Sequence, residues 1–408
     1  ARTNRYGDPV QTARFRPSPG AGCGRRAESA AIRQGASGVG FRSERAVGVP
    51  SGVHLRDLTP MHAAVRRVWP RVPLITHLHG TELKMLAAIR DDPLDLECGR
   101  YGVAWATRMQ SWAGRSNRVV VVSATDHALA LDLLPLDPGR VVTIASGVDT
   151  DVFEPKVRAW SERLALWRRW LVDDPRGWRP GGAEGSIRYT AHDLSAFTDD
   201  AGRPVPVVLF AGRFLRFKRL QLLIEAHHTM RSLTGNRSVL VIVGGFPGEW
   251  EGEHPYDTVH RLGAQGVFFV GWRDHVDLAE ILGCSDVFAA PSVDEPFGLV
   301  YLEAMSAGLP PIATNTGGPQ SFINVDPLRP TGWLVPPDDV AATARALAEA
   351  VSDPLARAAR GRRAARFVRR RYSWASSARA FEELYREVVD EPERGWRSQR
   401  ARPSSGVA

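Results

Sequence analysis

Val207-Val208-Leu209-Phe210-Ala211-Gly212-Arg213-Phe214-Leu215-Arg216-Phe217-Lys218 decides how this 408-residue chain is read. Four bulky apolar residues in a row predict a short strand buried on both faces, the kind that parallel sheets favour. The glycine after it lets the backbone approach a ligand, and a helix predicted from about Leu220 offers free N–H groups to an anion. Arg213 and Lys218 bracket the turn, so two cations can converge where a diphosphate would sit. Taken alone, the same stretch also reads as a solvated basic loop.

Downstream, the runs Val239–Val243, Val267–Val270, Val287–Ala290, Pro311–Ala313 and Trp333–Val335 repeat the strand signal, with helical spacing between them, as at Leu299–Ala307 and Val340–Val351. Six such runs predict an α/β, Rossmann-like doubly wound domain over 206–372. Upstream, Pro73-Leu74-Ile75 leads into Thr76-His77-Leu78-His79-Gly80. A helical stretch at Gly99–Ala113, the run Val119–Val122, a helix Ala124–Leu134 capped by Ser123, and the run Val141–Ile144 follow. Strands alternating with helices predict a second domain of the same class over 53–155. Residues 156–205 break the rhythm with Trp160, Trp167, Trp170, Trp178 and Tyr189 among Pro-Gly turns, and are expected to be an insertion or linker with one helix near Trp160–Trp170. Leu355–Val389 reads as helical and Arg-rich, broken at Tyr372-Ser373-Trp374, which leaves a terminal helix 373–390 and a tail 391–408.

The strand Val287–Ala290 runs into Pro291-Ser292, and then come Asp294-Glu295-Pro296-Phe297-Gly298-Leu299-Val300-Tyr301-Leu302-Glu303. With a helix beginning near Phe297, Glu295 lies in the loop and Glu303 on the helix, giving a near and a far carboxylate. Carboxylates accept hydrogen bonds from the vicinal hydroxyls of a sugar or ribose. Phe297-Gly298-Leu299 can aim amides and the positive helix end at phosphate. A capping acid and a surface acid are the plainer explanation of two such glutamates, and the glycine between them argues against it.

Gly212–Lys218 together with the Glu295-x7-Glu303 spacing resembles retaining glycosyltransferase family 4. Val241–Gly245, Glu303–Pro310, Gly317-Gly318-Pro319, Gly332–Pro336 and Gly147–Phe153 resemble further segments of that family. The resemblance implies a GT-B fold, two Rossmann-like domains facing a cleft, and a nucleoside-diphosphate-sugar donor with no cofactor and no metal. It implies that Arg213 and Lys218 hold the donor diphosphate, that Glu295 contacts donor-sugar hydroxyls and Glu303 the ribose, and that Gly212, Phe297, Gly298 and Leu299 complete the donor site. His79 is the expected active-site histidine. A two-histidine metal site at His77 and His79 is the alternative there, and Asp149-Thr150-Asp151 reads as a linker rather than a metal-binding pair. The implied reaction is retaining hexosyl transfer to a carbohydrate, lipid or small-molecule hydroxyl. The family's opening strand and glycine-rich loop have no counterpart in residues 1–52, so the first domain is expected to be truncated. The second reading is therefore a nucleotide-sugar-binding protein impaired in transfer.

Composition bounds the remaining classes. At 43% hydrophobic and 24% charged the chain is an ordinary globular sequence. Cys23, Cys98 and Cys284 are odd in number and far apart, against a disulfide framework. No apolar run approaches the roughly 18 residues of a membrane span. The net charge of +8 is concentrated in residues 1–52, which carry nine arginines against three acids and read as a poorly ordered basic arm. No stacking-aromatic module accompanies it, so nucleic acid is not an expected partner. A cytoplasmic location is expected, and peripheral contact with the cytoplasmic membrane face is compatible with the enzyme reading.

Overall fold

A computed structural model describes residues 49–92 and 99–390 of the chain. The expected basic arm, apart from its last residues, and the tail 391–408 lie outside the described residues, as do Cys23 and Cys98. The described residues from Ser51 onward form one unit that holds two parallel sheets.

The first sheet has four strands in the order of the chain: β1 (Val53–Arg56), β2 (Leu74–His77), β3 (Arg118–Val121) and β4 (Val141–Thr143). Between them run helices α1 (Met61–Val68), α2 (Thr81–Asp91), α3 (Gly99–Gly114) and α4 (Ala124–Leu133). Strand β1 and helix α2 go beyond the sequence reading. β1 alternates half-buried with exposed residues along VHLR, so it carries no apolar run. α2 buries Leu83, Leu86 and Ile89 on one face, a period of three that fits a helix. Ser123 caps α4 by accepting a hydrogen bond from the Asp126 amide at 3.0 Å.

The insertion begins with α5 (Trp160–Arg168), and the second sheet follows. Its strands are β5 (Val207–Ala211), β6 (Val239–Val243), β7 (Val267–Gly271), β8 (Val287–Ala289), β9 (Pro311–Thr314) and β10 (Trp333–Val335). Its helices are α6 (Leu220–Thr234), α7 (Pro255–Leu262), α8 (His275–Gly283), α9 (Leu299–Ser306), α10 (Val340–Ser352), α11 (Pro354–Arg371) and α12 (Trp374–Asp390). The strand order is β10-β9-β8-β5-β6-β7, all parallel. The order reverses between β5 and β8, and ligands of such sheets bind beyond the strand ends at that reversal. Gly212 follows β5 and the 291–298 loop follows β8, so both sequence motifs meet at this point.

The 156–205 segment is more than a linker. Trp167, Trp170, Trp178 and Phe197 are fully buried within the core of the second sheet's domain. Trp178 stacks on Phe214 at 5.7 Å and meets His254 at 4.5 Å, while the Phe269 amide donates to the Tyr189 hydroxyl at 2.9 Å. Arg163 holds Asp286 at 2.8 Å, and the Asp286 carboxylate also accepts from the Val207 amide at the head of β5. Trp167→Ala is expected to destabilise the chain by about 3–5 kcal/mol, the range for emptying a buried aromatic site. A lowered urea midpoint at unchanged slope would register it.

Two strands of chain link the sheets, and they pair with each other. The Val148 amide donates to Tyr372 O at 2.7 Å, and the Trp374 amide to Val148 O at 3.2 Å. Beyond this crossing α12 lies on the first sheet, with Leu384 and Val388 against Ile75, Val120 and Ile144, and Glu387 2.7 Å from Arg118. In the same crossing the Asp149 carboxylate accepts the amides of Asp151 and Val152 at 3.1 and 3.0 Å, the turn of a linker. Among the described residues no helix is long and apolar enough to cross a membrane.

Candidate functional site

A cleft of about 1270 Å³ opens between the two sheets. Its second-domain wall is built by the turn after β5, the end of β6 and the loop after β8. Arg213, Lys218, Glu295 and Glu303, on separate parts of the sequence, all line it, together with Gly212, Gly298 and Leu299. Lys218 ends a short 3-10 turn, and its Nζ is ion-paired with Glu295 Oε2, the two side chains retaining only 13% and 10% exposure. Arg213 is exposed, its guanidinium 3.2 Å from Glu249 Oε1. Glu303 is buried on α9, with His275 Nε2 3.8 Å from its Oε1. Burial raises the Glu303 carboxyl above the usual carboxylate range, and the His275 charge opposes that shift.

Helix α9 starts at Leu299, as the Leu299–Ala307 spacing predicts and not at Phe297, because Gly298 is its cap at φ +93°. A side chain there would meet the Tyr301 ring at 2.8 Å, so this turn demands glycine. The same geometry turns Phe297 away from the cleft. Its ring is buried 5.8 Å from Phe322 and 6.3 Å from Tyr372, so it is the backbone of Phe297, not its ring, that runs along the loop before α9.

His79 is likewise not one of the lining side chains. Its half-buried ring lies 4.2 Å from that of His77, which in turn faces His54 at 5.6 Å and Phe381 of α12 at 5.1 Å. Burial, with the Arg56 charge, lowers the His79 pKa, and burial with the His79 and His54 charges pushes His77 down to about 3. No group of three metal-ligating side chains converges among the described residues.

The first domain supplies Thr81, Lys84, Asp126 and Leu129 to the cleft, and the aromatic Trp272 lines the far wall beside Phe246 at 5.4 Å. Sequence reasoning missed these. Asp126 stands three residues after Ser123, where an acid reads as part of a helix cap. In the structure Asp126 is 4% exposed and its Oδ2 has no hydrogen-bond partner. Burial pushes its carboxyl up to about 6 from an ordinary 3.8, against the pull of Ser123 and Lys84. A raised carboxyl favours the fold fully below its unfolded value and loses that contribution as pH rises through the folded value. Asp126→Asn is therefore expected to flatten the fall in stability between about pH 4 and 6, read from urea midpoints across that window. An unaltered pH slope would contradict this environment.

Two facing Rossmann-type sheets, with a cleft lined by cations and acids at the strand-order reversal, define a two-domain α/β transferase fold of the GT-B kind. Residues 42–152 match the family described as Glycosyltransferase Family 4, and residues 200–367 match the glycosyl transferases group 1, together more than half of the chain. The chain belongs to glycosyltransferase family 4. Over 193 residues it is 34% identical to a D-inositol 3-phosphate glycosyltransferase of Corynebacterium urealyticum, a match covering 46% of this chain and 45% of that relative's length. The sucrose-phosphate synthase of Thermosynechococcus elongatus superposes with a TM-score of 0.61 at 22% identity, covering 82% of this chain and 73% of the other. Anabaena HepE, solved with UDP-glucose, superposes with a TM-score of 0.58 at 19% identity, covering 80% and 75%. These two likenesses are likenesses of fold.

Proposed function

We propose that this chain transfers a sugar from a nucleoside-diphosphate-sugar to an acceptor hydroxyl, with retention of anomeric configuration and without a metal. The observation that carries the reading is the meeting of Lys218, Arg213, Glu295 and Glu303 along one wall of the cleft. The acceptor oxygen bonds to the anomeric carbon on the face from which the diphosphate departs. The bond from that carbon to the phosphate oxygen breaks, its electron pair goes to the diphosphate, and the acceptor's proton is taken up by the leaving phosphate. Lys218 and Arg213 offset the charge that grows on the diphosphate, a preorganised electrostatic effect. Glu303 holds the ribose and Glu295 the sugar. UDP-glucose, the ligand of the Anabaena neighbour, is the first donor to try. A sugar alcohol phosphate is the first acceptor, after the name of the corynebacterial relative. The cytoplasm, where nucleotide-sugars are made, is the proposed location.

Calorimetry separates the two glutamates. Glu303→Ala is expected to weaken UDP and UDP-glucose alike by about tenfold or more, the worth of a charge-assisted hydrogen bond, whereas Glu295→Ala weakens UDP-glucose and leaves UDP within about twofold. Equal losses of both ligands in the Glu295 variant would remove it from the sugar. Donor binding with no transfer to any acceptor, followed by mass spectrometry, would favour the binding-only reading.

A further inference from the structure

Lys84 is the one lysine of the first domain's cleft wall, carried by α2, and it reaches across to the second domain. Its Nζ donates a hydrogen bond to the carbonyl oxygen of Asp294 and lies 4.9 Å from the centre of the Phe217 ring. Lys218 Nζ lies 5.0 Å from that same ring. One turn earlier, Gly80 abuts the other side of the loop, where a Cβ would fall 2.6 Å from Pro296 Cβ. The first domain thus touches the residues on either side of Glu295. Asp294 itself is held at φ +56°, a left-handed conformation that a non-glycine residue keeps only when its surroundings enforce it. Nearby, the charges of Glu295, Asp294 and Asp126 act on the Lys84 ammonium.

We propose that Lys84 is a positioning residue: by fastening α2 to the Asp294 carbonyl it sets the loop that carries Glu295, and so couples the first domain to recognition of the donor sugar. The proposal rests on the reading that Glu295 meets that sugar. The loop has no helical or strand hydrogen bonds of its own between Asp294 and Phe297. Its geometry therefore depends on what holds it: Lys84 and Gly80 from one domain and, from the other, Lys218, ion-paired with the Glu295 carboxylate, and Gly318, whose amide donates to Glu295 O at 2.7 Å.

Hydrogen exchange on the full chain tests the coupling directly, comparing wild type with Lys84→Met and Lys84→Arg. Lys84→Met is expected to speed exchange of the amides from 294 to 300 about tenfold while strand β5 stays protected, the behaviour of a locally loosened segment. Lys84→Arg, which keeps a cation of similar reach, should remain within about threefold of wild type. Calorimetry supplies the second arm: Lys84→Met should weaken UDP-glucose about tenfold and UDP by less than about twofold. Unchanged loop exchange in Lys84→Met, or equal loosening in Lys84→Arg, overturns the proposal. If wild type binds neither UDP nor UDP-glucose, that donor assignment fails by itself, and the exchange comparison still decides whether Lys84 sets the loop.

Discussion

Lys218→Ala is expected to lower the rate of sugar transfer by about 10²- to 10³-fold, the loss recorded when one preorganised charge-stabilising donor is removed from an active site. The lysine is placed for it. It closes the turn after β5 at the strand-order reversal, and its ammonium is held at the cleft wall by Glu295, with little water around either group. Removing it also strands a buried carboxylate, and breaking a buried pair costs up to about 3–5 kcal/mol before discounting for the open cleft. Loss of stability and loss of catalysis must therefore be separated. Lys218→Met with Glu295→Gln removes both charges, so it should restore the melting temperature towards wild type and leave transfer as slow as in the single variant. Transfer at the normal rate by folded Lys218→Ala would take the residue out of the mechanism.

Gly244→Ala is the second change with a large expected effect. Gly244 follows β6 at φ +112°, and a Cβ there would sit 2.3 Å from the carbonyl oxygen of Gly212, whose own turn carries Arg213. Neither atom can yield cheaply, since both belong to backbone at the ends of adjacent paired strands: β5 and β6 are in register up to Ala211 and Val243, and the Gly212 amide donates to Val243 O at 3.0 Å. Left-handed strain of about 1–3 kcal/mol adds to an overpacking cost of about 1–3 kcal/mol. The urea midpoint should fall, and donor affinity should fall further than in a destabilised variant remote from the cleft, such as Trp167→Ala. A stable Gly244→Ala protein with unaltered donor affinity would show that the two turns need not touch.

The second domain was legible because its strands are buried on both faces and therefore read as unbroken apolar runs. The expected β5, β6, β8 and β10 fall within a residue of the observed ones. The cleft's second-domain wall was legible for a related reason, since Gly212–Lys218 and Glu295–Glu303 each lie directly after a strand, where parallel sheets bind their ligands. Strand β1 was not, because a strand with one face open alternates, and VHLR offers only two inward positions. The packing of Trp167, Trp170 and Trp178 could not be read because their partners, Phe197, Asp277, Phe214 and His254, come from other parts of the chain. Lys84 was missed because its telling contact is with a distant segment, the 294–296 loop, and Asp126 because its burial is set by the fold and not by its place in a helix cap.

The most direct measurement is a crystal structure of the chain with a nucleoside-diphosphate-sugar, UDP-glucose first. The diphosphate is expected within hydrogen-bonding distance of Lys218 Nζ and the Arg213 guanidinium, with the ribose hydroxyls on Glu303 and the sugar hydroxyls on Glu295. A donor bound away from these four side chains, or with its diphosphate turned to the first domain, would contradict it.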